Sequence, residues 1–93
     1  MVRVMVTYER EPDAERYARH VADFASKVPR ATFRHGKVFG NPFAEPLFAY
    51  YAEFEFADRG AFKAAASSPD FGATAKDAMA MGIPFKVFFA NVE

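Results

Sequence analysis

Two histidines, two tyrosines and an arginine are the side chains of this 93-residue chain best suited to handle a proton. An imidazole with an ordinary pKa of about 6.5 can take or give a proton at neutral pH. His20 falls on the flank of a helical stripe, one turn from Tyr17 and one from Phe24. It reads as an acid–base group or as a half-exposed helix histidine with a local hydrogen bond. His35 reads as a base or haem ligand facing a cavity, or as a solvated histidine on an edge strand. Tyr51 can donate a hydrogen bond to a bound carbonyl or phenol, or serve as an interface aromatic that keeps its hydroxyl wet. Arg3 offers a positive charge to an enolate or phenolate. Glu53 and Glu55 share one face of a strand, where mutual repulsion would raise one pKa; pairing with Arg3 or Lys86 undoes that, and the ion-pair reading is preferred.

Several chemistries are excluded. Two histidines with no cysteine and no suitably spaced carboxylates make no metal site. Gly40 and Gly82 are isolated turn glycines, so there is no phosphate loop or dinucleotide fold. Ser67 and Ser68 punctuate helices and form no nucleophile elbow. Asp77 falls late in a helix and reads as solvated. No cofactor is expected.

These residues must be positioned by a small set of elements. Val2, Val4 and Val6 alternate with Arg3, Met5 and Thr7 in a first strand. Asp13 caps a helix whose stripe (Ala14, Tyr17, Ala18, Val21, Phe24, Ala25, Val28) runs through Lys27 until Pro29 ends it. Residues 30–39 read as a second strand and 40–46 as a turn-rich loop. Residues 47–56 form an aromatic third strand. Asp58 caps a helix over 59–66; Ser68 and Pro69 restart it, with Phe71, Ala75, Ala78 and Met79 as its apolar side, and Gly82 stops it. Residues 83–92 form a fourth strand. The order strand, helix, strand, strand, helix, strand predicts a ferredoxin-like α+β domain over 1–93, its antiparallel sheet ordered 4-1-3-2.

The third strand is apolar on both sides, and the chain has helix enough to cover one. Val2, Val4, Val6, Phe48, Tyr50, Phe54, Phe56, Phe85, Val87 and Phe89 suit the helix-packed face. The open face then carries Arg3, Met5, Thr7, Leu47, Ala49, Tyr51, Glu53, Glu55, Lys86, Phe88 and Ala90. On the second strand, Phe33, His35, Lys37 and Phe39 are expected to face inward with the cavity. Leaving Leu47, Tyr51 and Phe88 in water forgoes on the order of 1.5–3 kcal/mol each, so a second copy is expected to cover that face. The result is either a plain dimer interface with structural ion pairs or the wall of a ligand cavity.

Composition narrows the partners. Twelve basic and twelve acidic residues, scattered without runs, argue against nucleic acid and anionic membranes. The longest apolar run, residues 47–52, is far short of a membrane span. The alternating N-terminus lacks the apolar centre of a signal peptide, and a cytoplasmic protein is expected. Twelve Phe and four Tyr give a domain of this size generous aromatic burial.

Tyr17-x-x-His20, Val28-Pro29, Gly40-Asn41-Pro42, the run AEFEFADRGAF over 52–62 and Ala64-Ala65-x-x-Ser68-Pro69 together resemble the ethyl tert-butyl ether degradation (EthD) family. The resemblance spans nearly the whole chain; Tyr-x-x-His and the aromatic strand leading into a capped helix are its most specific parts. It implies a dimeric α/β barrel, a ferredoxin-like homodimer joined through its sheets. Members are labelled reductases or ether-degradation proteins, and no nicotinamide or flavin motif accompanies the first label here. Related barrels include cofactor-free monooxygenases, muconolactone isomerases, polyketide cyclases and haem-binding enzymes. Where members follow the helix histidine with x-Pro-Leu, this chain reads His20-Val21-Ala22-Asp23, so the helix continues. With the resemblance, His20 becomes the leading site residue. The combined expectation is a small hydrophobic or aromatic ligand, with His20 and Tyr51 at the chemistry and Tyr17, Arg3, Met5, His35, Glu53 and Phe88 around it. The chemistry would be cofactor-free proton transfer, isomerisation or oxygenation. The alternative is a non-catalytic accessory or carrier protein of a degradation pathway.

Overall fold

The structure is a computed structural model describing residues 1–43 and 46–93; Ala44 and Glu45 of the expected loop lie outside the described residues. Four strands, β1 (Val2–Tyr8), β2 (Thr32–Lys37), β3 (Tyr50–Phe56) and β4 (Phe85–Asn91), form one antiparallel sheet ordered β2-β3-β1-β4. Three helices, α1 (Ala14–Asp23), α2 (Arg59–Ala66) and α3 (Pro69–Ala80), pack on one side of it. This is the ferredoxin-like arrangement, with the strand order read from the sequence.

Local chemistry sets the element ends. Asp13, Asp58 and Ser68 each accept a hydrogen bond from a first-turn N–H, satisfying donors a helix start leaves orphaned. Gly82 adopts φ +74 just beyond α3, a left-handed conformation costly for residues with a Cβ. α1 is shorter than its apolar stripe predicts. Phe24 leaves helical geometry (φ −130, ψ −66), and the chain continues as one 3-10 turn, Ala25–Lys27. The break turns Ala25 and Val28 into the core beside Val2, Val4, Phe54 and Phe56.

Two further boundaries differ from expectation. β3 begins at Tyr50 rather than Leu47, although Ala49 still exchanges backbone hydrogen bonds with Tyr8 and Val38. Leu47 leaves the sheet and is 90% exposed. On α3 Phe71 and Ala78 face the core as expected, but Thr74 is buried in place of Ala75 and Met79. The core-facing stripe is thus turned from the Ala75 side to the Thr74 side, with Phe71 and Ala78 kept on it, and Asp77 faces α1.

The register settles the sheet faces, because directly opposed residues point the same way. Phe33 opposes Phe54, His35 opposes Ala52 and Lys37 opposes Tyr50, so these β2 side chains join the helix-covered face. Phe39 lies beyond the strand and is exposed. On β4 the helix-side residues Val87 and Phe89 are only partly covered: the helices lie off that edge, and Phe89 meets the Phe62 ring at 5.1 Å.

Candidate functional site

The covered face holds a cluster of six titratable side chains from five elements. Tyr8 comes from β1, Tyr17 and His20 from α1, His35 from β2, Tyr50 from β3 and Asp77 from α3. The Tyr17 ring sits at the centre, with ring centroids 5.2 Å from His20, 5.1 Å from His35, 5.3 Å from Tyr50 and 5.7 Å from Tyr8. The Tyr8 and Tyr17 hydroxyls lie 3.3 Å apart, and His35 Nδ1 lies 2.6 Å from the Tyr50 hydroxyl.

His20 is only 2% exposed, which removes the half-exposed reading. Its Nδ1 lies 2.7 Å from Asp77 Oδ2, and Arg16 donates to both oxygens of the same carboxylate at 2.8 and 3.0 Å. Asp77 is therefore not the solvated residue the sequence suggests: it joins α1 to α3. The Arg16 guanidinium, opposed in part by burial and helped by His20, holds the Asp77 carboxyl below its ordinary range. A cavity of about 60 Å³ lies beside His20, walled by apolar groups such as Val4, Val6, Phe54 and Phe71.

On the other side of Tyr17 lies an open cleft of about 390 Å³. Ala14, Ala18 and Val21 of α1 form one wall, and His35 and Tyr50 form the other. Ala14 and Ala18 belong to the apolar stripe of α1 yet stay exposed, because they face this cleft instead of the core. Burial raises the pKa of Tyr17, helped by its bond to Tyr8, and burial likewise raises that of Tyr50. Loss of water and the nearby His20 lower that of His35. At neutral pH both phenols keep their protons and His35 is uncharged.

The remaining expected site residues are on the opposite face. Arg3, Met5, Tyr51, Glu53 and Phe88 are consecutive or opposed members of the open side by register. Tyr51 therefore cannot reach a ligand shared with His20 inside one chain; the sheet stands between them. Arg3 pairs with Glu53 at 3.3 Å and with Glu55 at 3.1 Å, and Arg34 adds a contact to Glu55 at 3.5 Å. The hydrogen bond from Arg3 leads in lowering the Glu55 pKa, so the ion-pair reading holds for that carboxylate. Arg3 Nε and Glu53 Oε2, the two atoms of the 3.3 Å ion pair, are both buried. Tyr51 lies over Gly36, where an added Cβ would come within 3.3 Å of its ring. A depression of about 350 Å³ bounded by Thr7, Leu47, Lys86 and Phe88 marks the edge of this face.

Tyr8, Tyr50, Arg16 and Asp77 are absent from the expected site. Tyr8 extends the β1 alternation by one step and Tyr50 reads as core, so both were within reach of strand phase. The signal for Asp77 is fainter: Ala73 and Ala80 flank it on α3, small enough to admit a neighbouring helix. Among the described residues no group of carboxylates and histidines could hold a metal ion, and no helix is long and apolar enough to cross a membrane.

Sheet order, helix placement and buried cluster define a ferredoxin-like domain. No protein-family model matches the chain, nor does any curated protein. Among solved structures it is similar to an EthD family protein of Bacillus halodurans C-125, at 21% identity and a TM-score of 0.77, covering 100% of this chain and 99% of that one. Hydroxynitrile lyase from Passiflora edulis matches with a TM-score of 0.73 at 20% identity, over 99% of this chain and 93% of the lyase. A dimeric ferredoxin-like protein of unknown function from Jannaschia sp. CCS1 matches with a TM-score of 0.72 at 22% identity, over 98% of each chain. At such identities the likeness establishes the fold, and at that level the EthD resemblance read from the sequence is met.

Proposed function

We propose that the protein is a cytoplasmic homodimer, joined through its open sheet faces. On this reading it binds a small hydrophobic or aromatic molecule between α1 and the sheet and catalyses cofactor-free proton transfer on it. The observation that carries the catalytic part is the buried His20–Asp77 pair at 2.7 Å, beside an apolar cavity. A carboxylate on Nδ1 orients an imidazole and stabilises its protonated form, leaving Nε2 to exchange a proton with a ligand. Tyr17 and Tyr8, held protonated by burial, are neutral hydrogen-bond donors at the same place. The lyase neighbour lends the reading precedent only as a fold that carries such a name.

The dimer is supported by what the open face lacks. Phe88 is 49% exposed and Leu47, at the edge of this face, is bare. A second sheet would cover the apolar groups and bring Arg3, Met5, Tyr51, Glu53 and Phe88 into a shared interior. Solution scattering should return the mass of two copies; the mass of one copy, with Tyr51 and Phe88 bare, removes this part.

One observation favours the carrier reading: His20 sits behind the Tyr17 ring and takes no part in lining the cleft. Native mass spectrometry against small aromatic compounds, followed by turnover tests, separates the two. For an enzyme, His20→Gln and Asp77→Asn should keep binding and lose on the order of 100-fold or more in rate. Unchanged conversion in both variants removes His20 from catalysis and leaves the carrier.

A further inference from the structure

His35 and Tyr50, not His20, are the polar pair on the sheet wall of the open cleft; Tyr17 also lines it, but its hydroxyl is turned to Tyr8. The His35–Tyr50 bond is short, at 2.6 Å, and joins neighbouring strands across the ladder. With both groups uncharged, the phenol is the stronger acid of the two and donates to Nδ1. The imidazole proton then resides on Nε2, a donor, while the Tyr50 oxygen keeps lone pairs for accepting. Donor and acceptor thus stand side by side on the sheet wall of the cleft. Facing them across the cleft are the short apolar side chains of Ala14, Ala18 and Val21.

Charge restricts the occupant further. No lysine or arginine is among the residues lining the cleft, and the one carboxylate at its rim, Glu11, is engaged by Lys37 at 3.3 Å. The lining itself therefore offers an anionic ligand no cation to pair with, and Lys37 at the rim is taken by Glu11. A volume of about 390 Å³ suits one or two rings.

We infer that this cleft recognises an uncharged ring compound bearing one carbonyl or hydroxyl oxygen, and that the His35–Tyr50 pair holds that oxygen. The inference deepens the functional reading above and rests on it for the presence of a small ligand beside α1. It assigns ligand recognition to residues other than the buried His20–Asp77 pair.

The test uses imidazole nitrogen–proton NMR spectra of the whole protein, with phenol, acetophenone and benzoate as probes. Phenol and acetophenone should shift the His35 signals, and benzoate should bind about tenfold more weakly or worse. Tyr50→Phe should weaken phenol by roughly tenfold, because its hydroxyl loses the acceptor it donates to, and acetophenone less, because a carbonyl only accepts. Asp58→Ala, at the cap of α2 and away from the cleft, should leave their binding within about twofold. Tyr50→Phe keeps the ring, so it carries the test even where His35→Gln fails to fold. Shifts confined to His20, unchanged phenol binding in Tyr50→Phe, or benzoate binding as well as phenol would overturn this inference while leaving a ligand site standing. No shift at either histidine with about 10 mM probe, a concentration well above millimolar dissociation constants, would overturn both.

Discussion

The two faces of one sheet use charge in opposite ways. On the open face, Arg3, Glu53, Glu55 and Arg34 pair with neighbours across the β ladder; Glu53 is buried, while Arg3, Glu55 and Arg34 remain partly wet. On the covered face, His20, Asp77 and Arg16 pair across two helices that are 57 to 61 residues apart in sequence, and the histidine is sealed. The first kind of pair follows from register and holds nothing else in place. The second depends on how two helices are rotated, and in return fixes both. A ladder pair can therefore be exchanged with little effect on the fold, whereas the inter-helix pair couples fold and candidate chemistry.

The sharpest way to break this contrast is to truncate one aromatic from each face. Phe54→Ala, at a site 4% exposed, should cost about 3–5 kcal/mol in chemical denaturation. Phe88→Ala should cost under about 1 kcal/mol in a single copy, and more, with concentration dependence, if a second copy covers it. Equal, concentration-independent losses would erase the distinction between the faces.

Asp77→Asn comes next, with an expected loss of about 1–3 kcal/mol at neutral pH for the broken network. The Asp77 carboxyl titrates below its unfolded value of 3.8, so its contribution is complete above that value and is lost as pH falls through the folded pKa. Wild type and variant melting temperatures should therefore converge in strong acid; a gap that persists would show the loss to be steric. Asp58→Ala should cost about 1 kcal/mol for the lost cap of α2, a control that touches neither face. The smallest effect belongs to His35, whose pKa is lowered in the folded state. Its unfolded form binds the proton more readily, so stability should fall as pH drops below 6.5 and level off below the folded pKa. His35→Gln should flatten that step; a histidine signal titrating above 6.5 at position 35 would contradict the lowered pKa.

What could be read from residues alone follows the same divide. Strand alternation and caps at Asp13, Asp58 and Ser68 were enough for the element order, the sheet order and the Arg3 pairs, because these follow from period and neighbourhood. The β2 phase, ambiguous by composition, is settled only by the register, with Phe33 opposing Phe54. The inward turn of Asp77 was not legible: it rests on which of two similar stripes of α3, through Thr74 or through Ala75, faces the sheet. The early end of α1 at Phe24 escaped for a related reason, since the stripe continues and only packing of Ala25 and Val28 demands the break. Grouping His20 with Tyr51 erred because a site was assembled by residue type before the sheet was allowed to separate its two sides.

Tyr17 is a partition between two rooms. Trimming it to alanine would remove the ring that divides the hidden imidazole from solvent, and the outer recess could then open onto the inner void. A chain altered this way would accept bulkier guests and expose His20 to them, giving protein engineers a single-residue handle on what this scaffold admits.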